Sequence, residues 1–299
     1  AAPIVATDDT PPAVNGASGG TTPSLFANDT LDGSAVDAED ITGSLDDDDG
    51  LTGLVLNDDG TLTIPVDTPA GKYAVTYRIC ENLNPTNCDT AIATVTVEAQ
   101  AIAAVDDAPP AIPSIAGGST PSVFVNDTLG GSAVDPDDIT AVMVDDDGIS
   151  GLVFNTDGTF DVPPETPAGE YSVVYRICEI LNPANCDDAT VSLVVEAAPI
   201  VADDDTIATP VDTAFDQPGV INLFDNDTFD AAAIVPADIT VTSDDLPSGF
   251  TVNPDGSLDI AQYTPSQTYV FTYRICENLN PANCDTATVK VPVEKSVPV

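Results

Sequence analysis

The six cysteines of this 299-residue chain are the residues best suited to covalent chemistry, and they fall in three pairs of identical spacing. Each pair has the form Cys-x7-Cys, and the segments on both sides of it are rich in Val, Ile, Thr and Tyr. Because strands on both flanks bring the two ends of such a loop together, the spacing predicts a disulfide across the base of a hairpin. The predicted bridges are Cys80–Cys88, Cys178–Cys186 and Cys276–Cys284.

A metal site or a redox-active pair is the alternative interpretation of these cysteines. Zinc and redox sites generally use more closely spaced cysteines, often with histidine, and this chain contains no histidine. Structural disulfides are therefore favoured, and such bridges persist outside the cytosol. The sequence accordingly predicts an extracellular protein, at a cell surface or in a secreted filament.

Carboxylates are the second group of residues with ligand-binding chemistry. The chain has 50 acidic and 6 basic residues, a formal net charge of −44. Oxygen ligands crowded on short loops suit Ca²⁺, which takes about six to eight of them, so calcium is the predicted cofactor. The candidate ligands recur in each third of the chain: Asp8, Asp9, Asn28 and Asp29; Asp106, Asp107, Asn126 and Asp127; Asp204, Asp205, Asn226 and Asp227. The alternative is a solvated acidic face, and none of the clusters has the spacing of an EF-hand.

An internal repeat positions all of these residues. The motif Tyr-Arg-Ile-Cys begins at positions 77, 175 and 273, which is a period of 98 residues. The Asn-Asp-Thr motif keeps this period in the second copy and lies two residues late in the third, so we expect an insertion in a loop there. Short Ala-rich segments separate the copies, and the predicted modules are residues 1–99, 100–197 and 198–299.

Within each module the signals for secondary structure are those of strands. Thr and Val alternate over residues 94–97, and Asp58-Asp59-Gly60 separates two apolar runs in the manner of a hairpin turn. No window shows the period of a helix with its caps. About seven short strands per module, separated by turn residues, predict an all-β fold of three tandem immunoglobulin-like (Greek-key) β-sandwich domains in an extended array.

The Asp-Asp pair near each module start, the Leu-Phe-Ala-Asn-Asp-Thr stretch, the Asp-Gly hairpin and the closing Thr/Val-rich strand resemble a known class of repeats. They are similar to the tandem cadherin-like or immunoglobulin-like repeats of large bacterial cell-surface proteins, adhesins and surface filaments, over essentially the whole chain. The resemblance implies an exported β-sandwich array, often stiffened by Ca²⁺ near module junctions. The Cys-x7-Cys hairpin is not general to such repeats. Leu129-Gly130-Gly131 in the second module also lacks the acidic residue of the first, a departure from a uniform metal site.

Several classes of function are disfavoured. The chain has no histidine, no Gly-x-Ser-x-Gly elbow and no phosphate-binding glycine loop, so we expect no enzymatic activity. Its charge should repel nucleic acid and anionic lipid, which need clustered Lys or Arg. No apolar run approaches the roughly 18 to 20 residues of a membrane-spanning helix, so direct membrane insertion is not expected.

The sequence therefore predicts a structural stalk or self-assembling filament. Its predicted partner is the chain itself, head to tail, or its continuation in a longer array. Strand addition is predicted between the apolar Ile4-Val5 segment of one subunit and a sheet edge near Val291 and Val293, within residues 289–297, of the next. The alternative is an adhesin module that binds a glycan or surface receptor through loops such as residues 81–87, although the chain has no Trp to stack on sugars.

Overall fold

The described part of the chain, residues 2–295 of a computed structural model, is built from strands and a few 3₁₀ turns. In the first module the 3₁₀ turn covers Leu25–Asn28. None of the helices among these residues has the length and apolar character needed to cross a membrane. The strands of this module are β1 (Ile4–Val5), β2 (Val14–Asn15), β3 (Gly20–Thr21), β4 (Thr30–Leu31), β5 (Ser34–Ala35), β6 (Ile41–Asp47), β7 (Val55–Leu56), β8 (Leu62–Ile64), β9 (Gly71–Glu81) and β10 (Cys88–Glu98).

The second and third modules repeat this order. The second has 3₁₀ turns at Val123–Asn126 and Pro136–Asp138. Its strands are β11 (Ile102–Ala103), β12 (Ile112–Pro113), β13 (Gly118–Ser119), β14 (Thr128–Leu129), β15 (Ser132–Ala133), β16 (Ile139–Asp145), β17 (Val153–Phe154), β18 (Phe160–Val162), β19 (Gly169–Glu179) and β20 (Cys186–Glu196). Those of the third are β21 (Ile200–Val201), β22 (Asp205–Thr206), β23 (Val211–Asp212), β24 (Gln217–Asn222), β25 (Thr228–Phe229), β26 (Ala232–Ala233), β27 (Ile239–Thr242), β28 (Phe250–Val252), β29 (Ser257–Ile260), β30 (Thr268–Glu277) and β31 (Cys284–Glu294).

Two main sheets form each sandwich. In the first module one sheet has the order β2-β10-β9-β6, with β2 parallel to β10, and the other has the order β3-β8-β7. A small sheet, β1-β4-β5, lies beside them. The hairpin of β9 and β10 is the longest element, because its Tyr, Val, Ile and Thr residues suit a half-buried pleated surface over its whole length. This crossed strand order confirms the predicted all-β sandwich fold.

Alternation along the long hairpin builds the core. Val75, Tyr77 and Ile79 on β9 face inward with Ala93 and Val95 on β10, and each is fully buried. Burying side chains of this size stabilises the fold by about 1.5–3 kcal/mol for each large one. Each module has its own cluster of this kind, and the three clusters lie within residues 4–97, 112–195 and 223–293.

The predicted Asp-Gly turn has a steric reason for its glycine. Gly60 has φ +79°, in the left-handed region that favours glycine, and a Cβ there would meet Ser24 Oγ and the Phe26 ring. Gly158 and Gly256 repeat this conformation. The turn of the β7–β8 hairpin thus packs against the adjoining 3₁₀ turn, and no larger residue fits.

The sequence indicated that the two extra residues of the third module lie in a loop. The structure corrects this, because they are not confined to a loop. Part of the extra length lies in β24, whose pairing with β29 shifts register between Gln217 and Ile221. Gly219 lies in this bulge with φ +61°. A bulge accommodates an additional residue while the flanking pairs stay in register, which is why the strand tolerates it.

Candidate functional site

Three disulfides close the long hairpins. They join Cys80 to Cys88, Cys178 to Cys186 and Cys276 to Cys284, the pairing that the spacing predicts. In each case the two cysteines are directly opposite one another in the hairpin ladder. A bridge that closes so short a loop stabilises its module by about 2.5 kcal/mol through the unfolded chain. The disulfide therefore fixes the base of a loop whose interior is itself ordered.

A buried glutamate organises the interior of each loop. In the third module Asn280 Nδ2 donates to Glu277 Oε1 at 2.8 Å, and Asn283 Nδ2 donates to Glu277 Oε2 at 2.7 Å. Glu277 is only 1% exposed, so its carboxylate depends on these two donors. In the first module the hydrogen bonds from Asn87 and Asn84 lower the pKa of the Glu81 carboxyl. The loop thus presents its asparagines in a fixed orientation.

Two of these loops contact the preceding module. The backbone N–H of Ala70 donates to Asn182 Oδ1 at 2.5 Å, across the junction between the first and second modules. At the next junction the N–H of Ala168 donates to Asn280 Oδ1 at 2.6 Å. The two donors lie at the same position of the repeat, and so do the two acceptors. The same bond is therefore made twice, by the same part of the loop, on the same face of the neighbouring module.

The same loops also bind the linkers between modules. Asn185 Nδ2 donates to the carbonyl of Gln100 at 2.8 Å, and Asn283 Nδ2 donates to that of Ala198 at 2.7 Å. The third equivalent, Asn87 Nδ2, donates to the carbonyl of Ala2 at 2.7 Å. One disulfide loop thus binds both the linker and the preceding module. These bonds restrict the conformational freedom that an unbound linker would have.

The first junction is less complete than the second. Glu179 Oε1 and Asn182 Nδ2 are buried without a hydrogen-bond partner, whereas their counterparts in the third module bond to each other. Leaving such groups unsatisfied costs about 1–3 kcal/mol each.

A cleft remains open at each junction. The cleft between the first two modules has a volume of about 430 Å³, and Asp67 lines it from one side while Asp137, Asp138 and Leu181 line it from the other. The second cleft, of about 370 Å³, is lined by Leu279 of the loop and by Ile115 and Glu165 of the preceding module. Carboxylates therefore face each other across both clefts, Asp67 and Asp138 at the first and Glu165 and Asp238 at the second, and each cleft also has apolar lining.

The predicted calcium ligands lie at a different place, around a core tyrosine. Tyr77 Oη is 2.9 Å from Asp9 Oδ2 and 3.2 Å from both carboxylate oxygens of Asp29. Asp29 also accepts the backbone N–H of Thr7 at 2.8 Å. The two carboxyls from the module start and from the 3₁₀ turn thus converge on one hydroxyl, which fastens the N-terminal segment to the hairpin.

The other two predicted ligands of each set point elsewhere. Asp8 accepts the N–H of Ile92 at 2.9 Å, and Asn28 Nδ2 donates to the carbonyls of Thr7 and Asp8. In the second module Asp106 accepts the N–H of Thr190, while in the third Asp204 accepts that of Thr288. Asn126 and Asn226 repeat the bonds of Asn28 to nearby carbonyls. These residues therefore serve as backbone caps and not as one oxygen cage.

The tyrosine-centred pair recurs in the other modules. Tyr175 Oη lies 3.2 Å from Asp107 Oδ2 and 2.9 Å from Asp127 Oδ2. Tyr273 Oη lies 3.1 Å from both oxygens of Asp227, and the neighbouring Asp205 has a buried oxygen, Oδ2, without a hydrogen-bond partner. One hydroxyl proton cannot satisfy two carboxylates, so each pair favours the retention of a further proton.

Burial shifts the titration of these pairs. It raises the pKa of Asp29, Asp107 and Asp205 to about 6, against the ordinary value of 3.8. It also raises the pKa of their partners Asp9, Asp127 and Asp227, and that of the three tyrosines. Desolvation is the main cause in every case, because a buried carboxylate loses the hydration of its charge.

The geometry at these residues fits a hydrogen-bonded carboxyl pair better than a calcium ion. Within residues 2–295 no group of three or more His, Cys, Asp or Glu side chains is arranged to hold a metal ion. Calcium requires about six to eight oxygen ligands, whereas most of the oxygens here already accept hydrogen bonds from tyrosine or backbone donors. Calcium binding at Asp9 and Asp29, and at their counterparts, stays a prediction.

The predicted strand-addition residues are already paired, which corrects that expectation. Ile4 and Val5 pair with Leu31 and Thr30 of their own module. Val291 and Val293 are buried, and their strand β31 is flanked by β30 on one side and by β22 and β23 on the other. The expected edge is therefore occupied at residues 289–294. Val297 and the rest of residues 296–299 lie outside the described part of the chain.

Comparisons with known proteins give only distant likenesses. No protein-family model matches the sequence, and no curated protein matches it. A structure of Drosophila N-cadherin EC1-3 is similar at 12% identity and a TM-score of 0.35, over 98% of this chain and 100% of that one. For mouse cadherin-23 EC22-24 the identity is 14%, the TM-score 0.30 and the coverage 97% and 96%. For the human desmocollin-1 ectodomain they are 8%, 0.33, 99% and 62%. Likenesses at this level carry no conclusion about the function or partners of this chain.

Proposed function

We propose that the chain is a structural, non-enzymatic segment of an extracellular stalk or filament. The observation that carries this proposal is the repeated junction, in which a disulfide-closed loop makes the same hydrogen bond to the preceding module at two places. In such an array each module contacts only its neighbours. Because the joint is the same each time, it holds successive modules in the same relative orientation and keeps the chain extended. The proposed function of these joints is to span a distance with a stiff, extended chain.

The disulfides support this function because they lie at the joints. A strand pair that opens at its tip would release the asparagines that hold the next module, and the cross-link prevents that opening. An oxidising, extracellular setting is the one in which such bridges persist. Because the bridge keeps the loop asparagines in place, it is useful at the base of the loop and would not serve this purpose at the centre of the sandwich.

Ligand recognition through these loops is the less favoured function. Two of the three loops are occupied by contacts with the preceding module and its linker, so their surfaces are not free to bind a glycan or a receptor. The net charge of −44 also opposes binding to nucleic acid and to anionic lipid. Self-association, or continuation of the array by further modules, is the contact that the loops are built to make.

Small-angle X-ray scattering on the full chain tests the proposed rod. In dilute solution at low ionic strength, where the charge of −44 keeps copies of the chain apart, we expect an elongated particle with a well-defined longest dimension. The variant N182A/N280A, which removes both acceptors at the joints, should give scattering typical of modules that move independently. Asn84→Ala is the matched control, because Asn84 is the exposed counterpart of Asn182 and Asn280. Under these dilute, low-salt conditions it should scatter like the unaltered chain.

Two results would contradict the rod. One is an unaltered chain that already scatters as independent modules, and the other is a double variant as stiff as its control. Repeating the measurement with Ca²⁺ and with a chelator tests the calcium prediction separately. A cation that stiffens the joints would change the longest dimension or the spread of dimensions, and no change would leave the disulfide loops as the main source of stiffness.

A further inference from the structure

The two outer ends of the described chain carry the two halves of a junction, both uncovered. The loop of the first module has Leu83 at 89% exposure, whereas Leu181 and Leu279, at the same position of the repeat, line the two junction clefts. Asn84 is likewise exposed, and its counterpart Asn280 is only 8% exposed. Leu83 and Asn84 are thus exposed in the first loop, whereas their counterparts in the other two loops lie at the joints.

The opposite half is uncovered on the third module. Ser266 follows Pro265 as Ala70 follows Pro69 and Ala168 follows Pro167, so its backbone N–H is the one that would donate to a loop asparagine. On the same module, Phe215 is 73% exposed and Tyr263 is 64% exposed. Gln262 bonds to Ala214 and Asp216, which places the segments that carry the two aromatic residues next to each other. Tyr263 lies at the position held by Asp67 and Glu165 in the other modules. This face is therefore more apolar than either of the faces that are covered at an internal junction.

We propose that the first module's loop docks on this face of a second copy of the chain, so that copies join head to tail. In this contact Leu83 packs against Phe215 and Tyr263, and the N–H of Ser266 donates to Asn84 Oδ1. Exposed aromatic side chains of this kind are the usual anchors of protein interfaces, because each buries a large area on a rigid frame. The proposal rests on the proposed rod, since it extends the internal joint to a second molecule.

Charge also favours a second copy as the occupant. Lys295, one of the six basic residues of the chain, lies with its Nζ 4.8 Å from the centre of the Tyr263 ring. The facing positions of the first module are Glu39 and Asp40, the counterparts of the Asp137 and Asp138 that line the first cleft. Internally those two aspartates meet Asp67, a like charge, whereas between copies they would meet a lysine. The outer face thus carries, beside its acidic residues Asp216 and Glu294, a positive charge that the corresponding face of the first joint lacks at Asp67.

Such a contact has open symmetry, which means that it does not close into a ring or a two-fold dimer. A loop on one end meets a different surface on the other end, so the interface is heterologous and the copies add without closing into a dimer. Because each copy carries a large negative charge, salt that screens the repulsion should promote assembly. Sedimentation velocity on the full chain at raised ionic strength, with electron microscopy of the same samples, measures the products.

The decisive experiment uses two single variants and their mixture. Leu83→Asp blocks the loop and Phe215→Asp blocks the face, at positions that are exposed and distant from the cores. The unaltered chain should form oligomers that lengthen with concentration, while each variant alone should sediment as a monomer. Mixed in equal amounts, the variants should give dimers and nothing longer, because only one intact loop and one intact face remain in each pair. Val142→Asp, at an exposed position on the side of the second module, is the matched control and should assemble like the unaltered chain.

Three outcomes would overturn the proposal. They are an unaltered chain that stays monomeric at every concentration, oligomers that persist in either single variant, and a mixture that contains no dimer. Asn84→Ala provides a milder check, since it should weaken assembly while leaving the fold of the loop closed by its disulfide. The scattering of monomeric Leu83→Asp reports the internal joints alone, so a flexible rod and a failure of docking give different results.

Discussion

Two polar clusters recur in every module, one in the disulfide loop and one around the core tyrosine, and they depend on position in opposite ways. The loop of the first module, Glu-Asn-Leu-Asn-Pro-Thr-Asn, differs from that of the third at a single residue, yet Asn84 is exposed while its counterpart Asn280 is buried in a joint. The tyrosine cluster, in contrast, is buried among its own strands in all three modules. Near-identical sequence thus gives one cluster whose role depends on a neighbour and one whose role does not.

The difference has a simple physical origin. The tyrosine cluster makes its hydrogen bonds within its own module, so its contribution to stability does not depend on a neighbouring module. The loop satisfies its inner bonds through Glu81, Glu179 or Glu277 but leaves one asparagine oxygen for a backbone donor on the module before it. The tyrosine cluster therefore contributes to stability alone, whereas the disulfide loop contributes both to the stability of its module and to the stiffness of the joint.

Removing single disulfides gives the largest expected effect and separates the two roles. The variants C80A/C88A and C178A/C186A should each destabilise their own module by about 2.5 kcal/mol, because both lose the same short cross-link. Only C178A/C186A should also loosen a joint, since its loop contacts the first module. Calorimetry measures the first effect and small-angle scattering the second. Equal loss of stiffness in the two variants would show that the loop's role does not depend on its neighbour.

Replacing the tyrosines tests the other half of the comparison. Tyr77→Phe, Tyr175→Phe and Tyr273→Phe each remove a hydroxyl that donates to a buried carboxylate, that of Asp29, Asp127 or Asp227. The loss should cost about 1.5–3 kcal/mol at neutral pH. The cost should be similar in the three modules and smaller in acid, where the carboxyls carry their own protons. Differential scanning calorimetry at two pH values measures it. If the loss of stability differed among the three modules, the role of the tyrosine cluster would depend on its position in the chain, as that of the loop does, and the two clusters would no longer differ in this respect.

The sequence predicted the features that repeat within a module and missed those that join modules. The Cys-x7-Cys spacing gave the disulfides because both cysteines belong to one hairpin. The joint was missed because Asn182 is 112 residues from its partner, a backbone N–H of Ala70 that has no signature in sequence. A signal was present, however, since Glu, Leu, Asn and Pro recur inside every cysteine pair. The recurrence of the same four residues in all three loops indicates that each loop makes the same kind of contact.

The acidic residues show a second limit of sequence. Asp9 and Asp29 were expected to converge, and they do, but on the hydroxyl of Tyr77. The strand edge expected near Val291 was wrong because β22 and β23 cover it through two short parallel pairings, and two-residue strands leave no periodic signal. Long-range pairing of short segments is what one sequence conveys least.

The pH dependence of stability gives the smallest effect and isolates the tyrosine clusters. Burial raises the pKa of Asp29, Asp107 and Asp205 to about 6, so the folded chain holds protons that the unfolded chain has released. The contribution of these pairs to stability is thus complete below about pH 4 and is lost as pH rises through 6, by about 1–2 kcal/mol per module. Thermal melts between pH 4 and pH 7 on Asp29→Asn and on the unaltered chain measure the loss.

Asp29→Asn should remove the first module's share of this loss, since an amide does not titrate. Asp59→Asn is the matched control: it removes the same charge from a residue whose pKa is lowered by the hydroxyl and N–H of Thr61, and its titration lies below this window. The general repulsion of so acidic a chain changes equally in both variants, so the difference between them reports the pair with Asp9 and Tyr77. Identical slopes between pH 4 and pH 6 in the two variants would mean that the pair holds no extra proton, and that the same geometry is then open to a cation.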